Sequence, residues 1–202
     1  MNHTLAKIIS VILHPLLIFV ALYAFLLSQR QFHISTLSMM RHDSFLIVLL
    51  TIATILCILL FYKLKWIKTL TLSDSHDRLI AYLCFIVELC IVINTNLVDK
   101  NMNPVLFLMI SILLNALISI LVITVFWKIS AHTFFIGTAI GFLLAIHPYC
   151  TFNAVLLFPI LFILAGIAAS ARLQLNAHSI AQIYVGFLLG LFEALLSTSI
   201  IL

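Results

Sequence analysis

Long apolar stretches separated by short polar breaks run through the whole chain. A helix needs about 20 mostly apolar residues to cross the hydrocarbon core of a bilayer. It can do so because its backbone groups bond to each other and not to lipid. The pattern therefore predicts an all-α, polytopic transmembrane bundle of six to seven spans. Seven stretches meet the length requirement or nearly do, at residues 8–28, 44–62, 79–98, 104–127, 132–149, 152–170 and 179–201.

Two prolines bear on where these spans begin and end. The fifth and sixth stretches are divided only at His147-Pro148-Tyr149. Proline removes a backbone donor and disfavours helix in the residue before it, so we predict a turn there. The first stretch contains His14-Pro15 and no small-residue cleavage site follows it. We therefore expect a retained span at this position, not a removed signal peptide.

Composition supports the same class of protein. Hydrophobic residues make up 65% of the chain and charged residues 8%, whereas a soluble domain carries about a quarter charged residues. No domain boundary is visible, so residues 1–202 are predicted to form one integral-membrane domain. The net charge of +4 is spread over the polar breaks. This distribution favours phosphate or anionic lipid as a partner and argues against nucleic acid.

The number of spans decides which polar breaks share a membrane face. The breaks at 63–78, 128–131 and 171–178 precede the third, fifth and seventh spans. With seven spans they lie on one face together with the N-terminus, so their Lys, Arg, His and Asp side chains can converge. The distribution of Lys and Arg does not decide whether that face is cytoplasmic, because several of these residues are candidate ligands.

Two pairs of glycines predict close helix packing next to the polar breaks. The pairs Gly137/Gly141 and Gly186/Gly190 have the spacing that lets membrane helices approach closely. Together with the small residues at 165–170, they predict that the fifth, sixth and seventh spans pack tightly. Such packing would bring His132 near His178. The alternative is generic membrane packing without a functional role.

Polar side chains at the start of the last span suggest phosphate chemistry. His178 and Gln182 are four residues apart and share one helix face, with Arg172 just before them. Phosphohistidine chemistry needs a neutral imidazole, a partner that orients it, cations and an acid. Those residues, with Lys128 and His132, supply these parts without a metal or cofactor. Alternatively, Arg172 and His178 reach to lipid headgroups and Lys128 is an interfacial anchor beside Trp127.

Two of these segments resemble motifs of one enzyme family. The run R-x5-H-x3-Q-x3-G from Arg172 to Gly186 resembles the third motif of the type 2 phosphatidic acid phosphatases, S-R-x5-H-x3-D. The run S-A-H at 130–132 resembles their second motif, P-S-G-H. The resemblance covers 63–202 and leaves 1–62 as two leading helices. The chain is also similar to small membrane proteins of Bacteroidetes-type bacteria with K-I-S-A-H and A-R-L-x-L-N-A-H, which implies the bacterial inner membrane.

The resemblance implies a role for each matching residue. His178 would be the nucleophile and His132 the general acid, while Arg172 and the backbone around Ser130 would hold phosphate. The substrate would be a phosphorylated lipid such as a phosphatidate, a prenyl diphosphate or a lipid A phosphate. The first motif, K-x6-R-P, is poorly matched. Its best candidates, both as phosphate ligands, are Arg78 for the arginine and Lys68 for the lysine.

Gln182 stands where the family has an aspartate, and it carries no charge. It can orient His178 but cannot stabilise an imidazolium. Three functions therefore stay open. The first is a lipid phosphatase, and the second is a non-catalytic relative that binds or translocates a phospholipid headgroup. The third is a small transporter that uses the intramembrane carboxylates of Glu88 and Glu193.

Overall fold

The protein is built from helices. The computed structural model describes residues 2–29, 37–70, 72, 74–99, 103–150 and 152–202, except the side chains of 37–41 and 96–99. The predicted all-α class is confirmed, because the described residues form no strand. The helices are α1 (His3–Ile12), α2 (Pro15–Ser28), α3 (Leu37–Lys63), α4 (Ser75–Asp99), α5 (Pro104–Phe126), α6 (Ala131–Ile146), α7 (Ala154–Gln174) and α8 (Ile180–Ile201), with a 3₁₀ turn at His147–Tyr149.

The helices are long enough to make this a multi-pass membrane protein. Six spans, formed by α3 to α8 with the 3₁₀ turn counted as part of α6, are long and apolar enough to cross a bilayer. The pair α1 and α2 passes the same test only when taken together, which makes up to seven spans. Each predicted stretch coincides with one of these helices or with the pair, so the prediction of six to seven spans is confirmed.

The first predicted span is bent, which the hydrophobic pattern did not show. α1 and α2 meet at an angle of 51°. Pro15 is the first residue of α2, and the Nδ1 atom of His14 accepts a hydrogen bond from the Leu16 amide at 3.4 Å. Because proline has no N–H, the helical bond from residue 15 to the Val11 carbonyl cannot form. The stretch 8–28 is thus two helices that begin at His3.

The division at Pro148 is confirmed. The 3₁₀ turn at His147–Tyr149 follows α6 directly, and the Cys150 amide donates to the His147 carbonyl at 3.1 Å. α7 then begins with Asn153 as its N-cap, whose side chain accepts from the Leu156 amide. The cap satisfies an amide that would otherwise lack a partner at the helix start.

The described chain separates into two compact units. The first unit comprises Met1–His33 and Ile129–Leu202, and so contains α1, α2, α6, α7 and α8. Within it α6 is central and packs along α8, α7 and α2. The second unit, Ile34–Lys128, contains α3, α4 and α5, with α4 packed on both of its neighbours.

The two glycine pairs bring α6 and α8 into backbone contact. A methyl group at Gly137 would overlap the carbonyl oxygen of Phe187, and one at Gly141 would overlap that of Leu191. A methyl group at Gly190 would in turn overlap a carbonyl oxygen of α6. Moving from Gly137 to Gly141 along α6 moves the contact from Phe187 to Leu191 along α8, so the two helices run parallel. The predicted close packing of these two spans is confirmed.

The rest of the first unit packs around α6. Phe19 of α2 meets Phe135 edge-on with ring centroids 5.6 Å apart. On another side, Ala165 and Ala168 of α7 form a buried cluster with Ile136 and Ile140 of α6. The small residues predicted at 165–170 therefore serve packing in part. Gly166 does not, because a Cβ there would meet nothing within 4 Å.

Candidate functional site

The starts of α6 and α8 are joined by hydrogen bonds. The backbone amide of Ser130, the N-cap of α6, donates to the carbonyl of Gln182 at 3.1 Å. One turn further, the Thr133 hydroxyl lies 3.0 Å from the Ile183 carbonyl, to which it can donate. The two segments that resemble the second and third phosphatase motifs therefore lie side by side at one end of the first unit.

His178 is held in a defined orientation just before α8. Its side chain is buried, with 7% exposure, and its Nδ1 atom lies 3.2 Å from Oε1 of Gln182. The same Oε1 accepts from the Ser179 amide at 3.0 Å, which identifies it as the amide oxygen. An amide oxygen can only accept, so Nδ1 carries the proton. A neutral imidazole in this position keeps a lone pair on Nε2.

The Gln182 side chain also caps the start of α8. The Ser179 hydroxyl accepts from the Gln182 amide at 3.3 Å while the Gln182 side chain accepts from the Ser179 amide. This reciprocal pair is a capping box, which satisfies two donors at the helix start. The glutamine thus fixes both the beginning of α8 and the imidazole of His178, without supplying a charge.

Arg172 reaches the site from the end of α7. Its Nη1 donates to the hydroxyl of Ser10 at 2.7 Å. The chain then turns tightly, with Asn176 in the left-handed region at a φ of 49°, which asparagine tolerates better than most residues. The Ala177 amide donates to the Arg172 carbonyl at 3.1 Å and closes the turn. Arg172 and His178 therefore lie at the two ends of one tight turn.

His132, in the first turn of α6, also contacts Ser10. Its Nε2 lies 3.0 Å from the Ser10 carbonyl oxygen and 3.3 Å from the Ser10 hydroxyl. A carbonyl oxygen only accepts, so Nε2 carries a proton. The ring of His14 packs edge-on against that of His132, with centroids 5.8 Å apart. Both His132 and Arg172 are thus fastened to the same residue of α1.

Ser10 and His14 were not among the predicted site residues. Ser10 gives no signal in the sequence, because a single serine in an apolar stretch is common in membrane helices. His14 carries only a weak signal, as an ionisable residue within a predicted span. Only the fold brings positions 10, 14, 132 and 172 together.

The hydroxyl of Ser130 is a buried polar group at the start of α6. Its residue is completely buried, and within the described part of the chain its Oγ makes no hydrogen bond. Leaving a buried hydroxyl unsatisfied costs about 1–3 kcal/mol. Such an atom can still form a hydrogen bond to a polar group that reaches the start of α6.

The other three predicted phosphate ligands belong to the second unit. The Nζ of Lys68 lies 3.4 Å from the Asp74 carboxylate, and this hydrogen bond holds the pKa of Asp74 below its usual value. Arg78 is buried and donates through Nε to the Leu72 carbonyl at 2.8 Å. Both stabilise the loop that leads into α4. Lys128 is the last residue of this unit.

The same loop is fastened by a carboxylate in the first turn of α4. Asp77 is completely buried and accepts from the amides of Lys68 at 3.1 Å and Thr69 at 3.0 Å. The described residues of the polar break at 63–78 therefore have a clear structural role in their own unit.

The two intramembrane glutamates lie in different units. Glu88 of α4 is 2.6 Å from the hydroxyl of Thr54 of α3. Glu193 of α8 accepts from Ser197, one turn further along, at 3.0 Å. Each glutamate thus has a hydrogen-bond partner within its own unit.

Comparisons with protein-family models, curated proteins and solved structures find no match. Among the described residues, no three His, Cys, Asp or Glu side chains are grouped to hold a metal ion. The function must therefore be argued from the geometry around Ser130, Arg172 and His178.

Proposed function

We propose that this protein is a membrane-embedded lipid phosphatase-like protein related to the type 2 phosphatidic acid phosphatases. It would dephosphorylate a phosphorylated lipid through a phosphohistidine at His178. The observation that carries the proposal is the hydrogen bond from the Ser130 amide to the Gln182 carbonyl, at 3.1 Å. It joins the two motif-like segments, which lie 52 positions apart in sequence.

The geometry around His178 suits nucleophilic attack. Nδ1–H donates to Gln182, so the lone pair on Nε2 can attack phosphorus. As the bond from Nε2 to phosphorus forms, the bond from phosphorus to the lipid oxygen breaks. His132 acts as an imidazolium in this step and gives a proton to the leaving oxygen, which leaves His132 neutral. A water molecule then attacks phosphorus while His132 takes one of its protons. The bond from phosphorus to Nε2 breaks, which releases phosphate and restores the neutral imidazole of His178.

A phosphoryl group also needs donors for its oxygens. The guanidinium of Arg172 presents several N–H groups in a plane and can hold two phosphoryl oxygens at once. The buried Ser130 hydroxyl adds a further polar group at the start of α6. The phosphate-binding roles of Arg78, Lys68 and Lys128 stay predictions. His132 must exchange its bond to the Ser10 carbonyl for one to the leaving oxygen.

A second candidate is a non-catalytic protein that binds or translocates a phospholipid headgroup. Gln182 favours it, because a neutral amide whose oxygen already accepts from Ser179 gives an imidazolium little electrostatic support. Losing the orienting carboxylate in a serine protease triad lowers turnover about 10⁴-fold. In this case Arg172 would grip the headgroup without transfer of phosphate.

Phosphate release in detergent tests the first proposal. The purified protein should release phosphate from phosphatidate without added metal, and His178→Ala should abolish the release. His76→Ala is a matched control, since His76 is exposed in the second unit. Equal turnover in wild type and His178→Ala would reject the phosphohistidine.

Substitution of Gln182 separates the two candidates. Gln182→Glu keeps the reach and the capping box and adds the missing charge, while Gln182→Asp restores the family residue with a shorter side chain. Faster turnover in either variant supports a weakened enzyme. If neither variant nor wild type turns over lipid, and Arg172→Ala weakens phosphatidate binding, the headgroup-binding protein is supported.

A further inference from the structure

α1 forms a short arm that packs on α7 and keeps most of its large apolar side chains away from the bundle. It has ten residues and precedes the 51° bend at His14-Pro15. Ala6 is its one completely buried residue among those described. Its larger apolar side chains are about half exposed or more: Leu5 49%, Ile8 51%, Val11 67% and Ile12 61%.

Ser10 makes the polar contacts that fasten this arm to α6 and α7. Its hydroxyl accepts from Arg172 at 2.7 Å, and its carbonyl accepts from Nε2 of His132 at 3.0 Å. The first is a charge-assisted bond, which is stronger than one between neutral groups. The two nitrogens approach Ser10 from two different helices.

The groups held by Ser10 are those proposed to act on the substrate. Arg172 and His132 both present N–H donors to oxygen atoms of Ser10, as they would to a phosphomonoester. We propose that α1 is a lid: Ser10 occupies the place of the phosphoryl oxygens until a phosphomonoester displaces it and α1 swings away about the bend. This inference rests on the proposed function and adds the regulation of the same site.

The bend supplies a hinge for such a movement. Pro15 lacks the N–H that would bond to the Val11 carbonyl, so the helix ladder is already broken there. His14 caps α2 through its own side chain and can remain in place. A phosphomonoester is anionic, so its bond to Arg172 is stronger than that of the neutral Ser10 hydroxyl. Ligand binding can therefore favour the open lid.

Thiol accessibility measures the lid directly. The four native cysteines are replaced by alanine, and Ala6→Cys is introduced as the buried reporter in the full chain. Thr4→Cys, on the exposed part of the same helix, is the matched control. A His178→Ala background prevents turnover of the lipid. The rate of modification by a water-soluble maleimide is then measured in nanodiscs.

Phosphatidate should accelerate modification of Ala6→Cys about tenfold, as expected when a lid that is open about a tenth of the time becomes mostly open. Phosphatidylcholine, a phosphodiester, should have no such effect, and Thr4→Cys should react quickly throughout. If inorganic phosphate accelerates the modification of Ala6→Cys as much as phosphatidate does, the lid proposal is supported and the phosphoryl group alone is enough to open the lid. An Ala6→Cys rate that no phosphate compound changes overturns the lid.

Ser10→Ala gives an independent measurement. Removing the competing hydroxyl should tighten phosphatidate binding about tenfold, the equivalent of one hydrogen bond to a charged group. Ser28→Ala, which removes an exposed serine of α2, is the control. Unchanged or weaker binding in Ser10→Ala contradicts the lid. The proposed function fails separately, if His178→Ala leaves turnover unchanged.

Discussion

The glycines of the first unit allow one substitution, glycine to alanine, to be compared in three environments. At Gly166 an added Cβ meets nothing within 4 Å. At Gly186 it lies 3.0 Å from the Ser130 carbonyl oxygen and 3.1 Å from the Thr133 hydroxyl. At Gly190 it overlaps the backbone carbonyl of Phe134. The chemical change is the same, so differences in stability report helix packing.

Two opposing terms set the expected magnitudes. Alanine is favoured over glycine within a helix by about 0.8–1 kcal/mol, and Gly166→Ala should gain most of this. Overpacking costs about 1–3 kcal/mol, and the upper part of this range applies at Gly190 because a backbone carbonyl cannot rotate away. Gly190→Ala should therefore lose about 1–2 kcal/mol net. At Gly186 the gain in helix propensity and the cost of overpacking nearly cancel, so the free energy of unfolding should change by no more than about 0.5 kcal/mol.

Unfolding in mixed micelles with increasing dodecyl sulfate measures these differences. The free energy of unfolding should fall from Gly166→Ala through wild type and Gly186→Ala to Gly190→Ala. A Gly190→Ala variant as stable as Gly166→Ala would refute the backbone contact between α6 and α8. Since that contact aligns Ser130 with Gln182, the proposed function predicts that Gly190→Ala also loses phosphate release. A 1 Å misplacement of reacting groups can cost about a hundredfold in rate.

Two further predictions concern the loop before α4. Asp77→Asn replaces a carboxylate oxygen that accepts from a backbone amide by an NH₂ group, which cannot accept. The free energy of unfolding should fall by about 1.5–3 kcal/mol in the same assay. An equal loss in the exposed control Asp74→Asn would contradict this. Lys68 lowers the pKa of Asp74 in the folded state. Their pairing therefore adds stability above the unfolded pKa of about 3.9, which is lost as pH falls through the lower folded pKa. Lys68→Met should thus be slightly destabilising at pH 7, and this effect should shrink as pH falls below about 3.9 and through the lower folded pKa of Asp74. An effect of the same size at pH 7 and at strongly acidic pH would refute the pairing.

The features that sequence could predict are those encoded locally. The apolar lengths predict the spans, Pro148 predicts the turn after α6, and the glycine spacing predicts the contact between α6 and α8. The bend at Pro15 was missed because membrane helices often tolerate proline. Ser10 was missed for a different reason. Its importance comes from His132 and Arg172, which are more than 120 positions away in sequence.

Gln182 shows how a residue that looks like a damaged motif position can be well placed. Its Oε1 accepts from Ser179 and lies within hydrogen-bond distance of Nδ1 of His178. The side chain is therefore fixed by the helix start, and with it the imidazole. Orientation and charge, which an aspartate supplies together, are separated here: the first is kept and the second is absent. Glutamate suits the same capping box. Under the proposed phosphatase function, the rate difference between Gln182→Glu and wild type therefore measures the contribution of the charge alone, with the orientation held constant.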